Sequence, residues 1–378
     1  MPDHARNWRL TLAICLIGAC VCLGIGFTVP ERGGDFTEFY AAGKLAGSGQ
    51  MYDWERVQQV ERLYGNIEVP FGRVPFYAIL FKPIAALPHV WGRGVWMLIN
   101  ALALGAFAML WPVARRDWLA MSLCWSVPAA LLLSTGQDTA LFLAFAALGF
   151  RLLEADREIA AGLVFSLCAA KFHLALGIPV YLLARGKWNT ITAAGAGGLM
   201  QFGISGAVEG WDWLLRLLGL ARISEFSPAV PKMPNLYGLT HWLPFGLGVE
   251  ALLTVAVLVA VWVIARRSTP AAGATAAVIG GLLVSHHAYV YDALLLLPAL
   301  ALAWELMLPE PARYWVLLLW TPIPYVALMA DRLAAFAQAS ISLFCLALVG
   351  VLAAGGLGAR AGVRGTLPRM TPAVEGEG

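Results

Sequence analysis

The chain has 378 residues, of which 60% are hydrophobic and only 13% charged, with a mean hydropathy of +0.72, against about 25% charged residues in an ordinary soluble domain. This excludes a soluble enzyme and predicts an all-α, polytopic membrane protein rich in Gly (39), Pro (21) and Trp (15), residues that suit close packing, broken helices and interfacial anchoring. The formal net charge of +3 is small and spread through loops, so no nucleic-acid partner is implied.

The first apolar run, 9–29, follows Arg6 and Arg9 and lacks a convincing small-residue cleavage site before Pro30, so it reads as an uncleaved helix. Further apolar segments lie at 91–113, 118–135, 139–153, 159–170, 174–183, 190–208, 243–264, 271–285, 290–306, 314–330 and 333–354. Together they predict roughly twelve spans, several shorter than the ideal of about 20 residues. Simple alternation puts Arg6/Arg9, Arg115/Arg116, Arg151/Arg157, Arg185/Lys187, Arg266/Arg267, Arg313 and Arg360/Arg364/Arg369 on one side. The positive-inside bias makes that side cytoplasmic, with both termini there and the bacterial inner membrane as the expected location. Alternation holds only if 159–183 crosses twice, with Lys171-Phe172-His173 at its outer turn. Residues 1–358 read as one transmembrane domain with a structured periplasmic loop at 30–89, and 359–378 as a disordered cytoplasmic tail.

Within that loop, Asp35 and Glu38 follow Gly33-Gly34 at an i,i+3 step and share one helix face at the water edge. They offer a general base and a second carboxylate; equally, Asp35 is a helix cap and Glu38 its capping-box partner. Residues 53–64 form an amphipathic pattern, Trp54, Val57, Val60 and Leu63 against Glu55, Arg56, Glu61 and Arg62, expected to lie flat on the membrane. The prolines of 74–88 would break a spanning helix, so this stretch reads as interfacial or re-entrant.

Polar residues at membrane helix ends are the site candidates. Lys171 and His173 suit a phosphate, although Lys171 could instead snorkel to the interface. Gln137-Asp138 follows Gly136, where Asp138 is also a cap candidate, and His286-His287 leads into Tyr289, Tyr291 and Asp292. The histidine pair with Asp292 falls short of a metal ligand set, and a hydrogen-bonded structural pair is the plainer alternative. Trp211, Trp213, Tyr237, His241 and Trp242 suit sugar stacking or, more simply, interfacial anchoring. All six cysteines lie in apolar runs and read as small hydrophobes.

Several of these stretches fall in order: Asp-Phe-x-x-Phe-Tyr-x-Ala-Gly from Asp35, Met-Tyr-Asp from Met51, Val-Pro-Phe-Tyr-Ala-Ile-Leu-Phe-Lys-Pro-Ile-Ala-Ala-Leu-Pro from Val74, Ser-Thr-Gly-Gln-Asp from Ser134, the run to Lys171-Phe172-His173, and His-His-Ala-Tyr-Val-Tyr-Asp from His286. The series resembles glycosyltransferase family 87, membrane enzymes of the GT-C type that use polyprenol-phosphate mannose. It departs at Val74-Pro75-Phe76, where such enzymes often read Tyr-Pro-Pro, and at Lys171-Phe172, where many have Lys-Pro. The resemblance implies an inverting, metal-independent and cofactor-free transfer of a mannose-like hexose from a polyprenyl-monophosphate donor to a lipid-linked or envelope-glycan acceptor. Asp35 would be the base, Lys171, His173, His286 and His287 would bind the donor phosphate, and Tyr40, Gln137, Asp138, Tyr291 and Asp292 would line the sugar or acceptor site. The rival reading is a transporter or flippase of a polyprenyl-linked precursor, which would more often show paired halves; none is detectable. A lipid-binding scaffold would leave Asp35, Lys171 and His286 without a reason to converge.

Overall fold

The computed structural model describes residues 2–28, 34–65, 69–113, 116–220, 229–306 and 310–355, and these are helical with no strand among them. The tail, 359–378, lies outside the described residues. Two helices open the chain, α1 (Pro2–Thr28) and α2 (Gly34–Leu45). In α3 (Trp54–Glu61) the Asp53 side chain caps the start by accepting from the N–H groups of Glu55 and Arg56. α4 (Pro75–Ala86) begins on Pro75, where a missing N–H removes no helix bond. Then come α5 (His89–Leu110), α6 (Arg116–Cys124), α7 (Val127–Thr135), α8 (Thr139–Glu154), α9 (Glu158–Ser166), α10 (Gly177–Ala184) and α11 (Trp188–Glu209). The chain continues through α12 (Trp213–Leu220), α13 (Leu236–Thr240), α14 (Gly246–Arg267), α15 (Pro270–Val284), α16 (Leu297–Glu305), α17 (Glu310–Trp320), α18 (Ile323–Met329) and α19 (Ala334–Ala353). Two 3-10 segments, Leu167–Leu174 and Val290–Leu296, join α9 to α10 and lead into α16.

Five helices are long and apolar enough to cross a membrane alone: Leu10–Thr28, His89–Leu110, Trp188–Glu209, Gly246–Arg267 and Ala334–Ala353. A sixth span exists if α6 and α7, bent by 57°, count as one. Of the roughly twelve segments expected, several of them short, these are the long ones; among the described residues the rest of the apolar sequence folds as shorter helices. Burial explains the difference. α15 is buried along nearly its whole length, and a helix wrapped by protein needs no continuous run of lipid-facing residues.

The ends of the helices sort into two levels. α1 runs parallel to α6 and α7, since Gly18 faces Trp125 and Gly26 faces Ala130, which carries Thr135 to the same end as α2. The segment from α9 to α10 goes out and returns: Lys187, just past α10, pairs with Glu158 at the start of α9 at 2.7 Å, while Lys171 lies at the opposite end beside Asp138 and Asp292. Residues 159–183 thus go out and back as a helical hairpin, its arms of 9 and 8 residues packing on different neighbours, α9 on α8 and α11, α10 on α14 and α15. The return is pinned by two glycines. A Cβ on Gly177 would stand 2.0 Å from the Ala277 carbonyl oxygen, and one on Gly281 2.0 Å from that of Leu174; the backbones touch, and no side chain fits between them.

Two local expectations need correction. In α3 the inward face carries Val57 and Glu61, whereas Leu63 is 74% exposed; Glu61 turns in because its carboxylate accepts the N–H of Val69 at 3.1 Å. Residues 75–86 form one continuous helix despite Pro83, packed across α2. At 12 residues α4 is too short to span. The aromatic loop divides as well: Trp211 and Trp242 are exposed, but Trp213 is buried.

The two levels can be read chemically. In a cysteine-free background, single cysteines at Asp156 and Ser268 should label from the same, cytoplasmic side and one at Leu63 from the other; labelling of Asp156 and Leu63 from one side would contradict this topology.

Candidate functional site

Five segments distant in sequence meet at the end of the bundle that holds α2. α2 contributes Asp35 and Glu38, and the break between α7 and α8 contributes Gln137 and Asp138. The two 3-10 segments bring Lys171 and His173, and Tyr291 and Asp292; the loop before α4 brings Arg73. The break exists because Gly136 adopts a left-handed conformation (φ 86°) that ends α7. Its missing Cβ also admits α2, since a Cβ there would lie 2.6 Å from that of Phe36.

Arg73 is the hub. Its Nε donates to Asp138 Oδ2 at 2.9 Å, its Nη2 donates to Asp138 Oδ1 at 3.1 Å and Gln137 Oε1 at 3.2 Å, and its Nη1 reaches Glu38 Oε1 at 3.4 Å. The guanidinium lies over the Phe39 ring at 4.9 Å, a cation–π shelf on α2. Lys171 holds the other half. Its ammonium donates to Asp292 Oδ1 at 2.9 Å and stands 3.5 Å from Asp138 Oδ1. Asp292 also accepts from the Thr139 hydroxyl at 2.7 Å and the Tyr289 N–H at 2.9 Å, and Gln137 Nε2 donates to the Tyr291 hydroxyl at 2.9 Å. Arg73 and Lys171 are thus joined through Asp138 into one buried network.

This placement decides several alternatives. Asp35 is the second residue of α2 and Glu38 turns to Arg73 and the Gly72 N–H, so the pair does not form a capping box. Asp138 sits at the cap position of α8 without capping it; its carboxylate is spent on Arg73. Lys171 does not snorkel, being 2% exposed. His173 and His287 come together with ring centroids 6.0 Å apart. Tyr40 and His286 turn away from the network. Tyr40 donates its hydroxyl to the Leu87 carbonyl at 2.7 Å and packs against His89 and Tyr64; five residues on from Asp35, it lies about 140° around the helix at 3.6 residues per turn. His286 turns outward, its Nδ1 2.9 Å from Glu250 Oε1 and its ring on Tyr237. Among the described residues no group of His, Cys, Asp and Glu is arranged to hold a metal ion. Cys22, Cys168 and Cys345 are free and buried, as small hydrophobes.

Sequence reasoning passed over Arg73. The available signal was an arginine in a loop assigned to the outer side, against the positive-inside bias, directly before the Val74-Pro75-Phe76 motif.

The two α2 carboxyls differ in state. Burial raises Asp35 to about 6, against the pull of Gln137, Lys171 and Arg73. It remains half-buried, open on one side, and no ion pair reaches it among the described residues. Burial also raises Glu38, further, to about 8, with Arg73 opposing and the neighbouring charges of Asp35 and Asp138 adding to the rise.

Residues 74–298 match the sequence profile of glycosyltransferase family 87. The chain belongs to that family. It is therefore a membrane glycosyltransferase, with a sugar donor and an acceptor as substrates, and the transporter reading is set aside. The matched region contains Gln137, Asp138, Lys171, His173, His286, His287, Tyr291 and Asp292 and stops short of Asp35, Glu38 and Arg73. No curated protein and no solved structure matches the chain.

Removing one partner of a buried ion pair strands the other, at about 3–5 kcal/mol. Arg73→Ala should destabilise the protein by that order in thermal or denaturant unfolding in detergent, and Arg73→Lys by less, because lysine cannot make the two-pronged contact with Asp138. Lys171→Met should be strongly destabilising, with part of the loss recovered in Lys171→Met/Asp292→Asn; strict additivity of the two would refute the pairing.

Proposed function

We propose that this glycosyltransferase moves a mannose-like hexose from a polyprenyl-monophosphate donor to a lipid-linked or envelope-glycan acceptor at the periplasmic face of the bacterial inner membrane, with inversion and without a metal, both termini being cytoplasmic. The observation that carries the reading is the contrast within the cluster. Asp138 and Asp292 are locked in buried ion pairs, whereas Asp35 stands at the half-open rim with no cation in contact and a carboxyl raised to about 6 by burial. A general base needs that combination of access, ionisation at neutral pH and proton affinity close to the working pH.

In this mechanism the acceptor hydroxyl oxygen attacks the anomeric carbon while its proton passes to the Asp35 carboxylate. The bond from that carbon to the donor phosphate oxygen breaks, and its electron pair leaves with the polyprenyl phosphate. Lys171, His173 and His287 face the leaving group, Lys171 with two of its donor directions on Asp292 and Asp138. Arg73 adds positive potential through the shared Asp138, and such preset charge stabilises the departing oxygen without reorganising. Gln137, Asp138, Tyr291 and Asp292 shape the floor of the sugar site. The polyprenyl character of the donor and the identity of the hexose rest on the family resemblance.

Asp35→Asn should fold and lose about 10²–10⁴ of the transfer rate, the usual worth of a positioned acid or base. Glu38→Gln, at a carboxyl engaged by Arg73 and not free to act as the base, should lose less than about tenfold. Because the base must be ionised, wild-type transfer should fall as pH drops through about 6 and hold above it. Radiolabelled donor turnover across pH checks all three; substantial turnover by well-expressed Asp35→Asn would refute the base assignment.

A further inference from the structure

At the end of the bundle opposite Asp35, the chain ends of three hairpins leave a recess of about 110 Å³, several times the roughly 30 Å³ share of a water molecule. Its walls are Phe150, Tyr181 and Pro270, and its polar groups are Arg185, Lys187 and Glu154. Arg185 is the central group. Its guanidinium lies 5.7 Å from the Tyr181 ring centre and donates through Nη2 to the Ser268 carbonyl at 2.8 Å, while Nε is buried without a hydrogen-bond partner. Arg185 itself lines the recess, which is large enough to receive an acceptor beside the guanidinium.

The charges around the opening favour an anion. Lys187 stands at the rim, paired with Glu158 at 2.7 Å. The one carboxylate in the lining, Glu154, is engaged by Arg151 at 2.7 Å. An apolar wall beside a cationic one, at the level where membrane helices end, matches the boundary between a lipid headgroup and its acyl chains. Basic pockets between transmembrane helices bind anionic headgroups on these terms.

We propose that this recess binds the phosphate of an anionic phospholipid headgroup, Arg185 and Lys187 supplying the cations, so that lipid stabilises the packing of α8, α10 and α15. It is separate from the transfer site and does not depend on how that site works.

The test is thermal unfolding of the full-length protein in detergent with short-chain phosphatidylglycerol, the matching phosphatidylcholine, or inorganic phosphate. Phosphatidylglycerol should raise Tm by several degrees and phosphatidylcholine should not. Arg185→Gln should lose most of that rise, Arg185→Lys should keep a large part of it, and Arg266→Gln, outside the recess, should leave it unchanged. Native mass spectrometry of folded Arg185→Gln should likewise show at least a tenfold drop in retained phosphatidylglycerol. An undiminished response in Arg185→Gln, an equal rise with phosphatidylcholine, or the same rise with inorganic phosphate alone would each overturn the lipid assignment.

Discussion

The ion pairing of Arg73 and Lys171 with Asp138 and Asp292 is the constraint from which the rest of this structure follows. Charges taken out of water lose several kcal/mol of hydration each, and only close, well-aligned partners return it. Asp138 meets both cations, at 2.9 Å and 3.5 Å, so the loop before α4, the break after α7 and the turn after α9 must converge on one point. Neither helix break would be tolerable in lipid; both are possible because the freed polar groups face one another inside protein.

That fixed floor gives the proposed site its division of labour. The paired carboxylates are held and cannot easily take a proton, while α2 slides its first turn over the floor and leaves Asp35 at the edge. Phe36 and Phe39 anchor α2 in an aromatic cluster with Phe81 and Trp96, and Gly136 makes room for its approach. Rigidity beneath and access above is the arrangement expected where geometry must be preset before substrate arrives.

Much of this was legible in the sequence. Hydropathy gave the all-α membrane class, basic loops gave the two levels, and the need to alternate gave the out-and-back course of 159–183, now seen in the Glu158–Lys187 contact. The convergence of Gln137, Asp138, Lys171, Tyr291 and Asp292 was anticipated because polar residues at membrane depth need a reason. What stayed hidden depends on packing. A span count assumes that apolar runs face lipid, whereas α15 faces protein. Tyr40 shares a motif with Asp35 but not a helix face, and His286 and His287, adjacent in sequence, point to different partners. Arg73 lacked a periodic context and declared its role only when Asp138 and Glu38 were brought to it.

The same network has a history in the order of synthesis. Glu38, Arg73 and Asp138 leave the ribosome first, so Arg73 and Asp138, 65 residues apart, are both available to enter the bilayer as a neutral unit. Lys171 emerges next, 121 residues ahead of Asp292, and Asp138 is the carboxylate already waiting for it. Asp292 then arrives opposite an ammonium that already has a partner, with α16 to α19 still to follow. Asp138, shared between the two cations in the finished protein, is thus the carboxylate that ties the early half of the network to the late one.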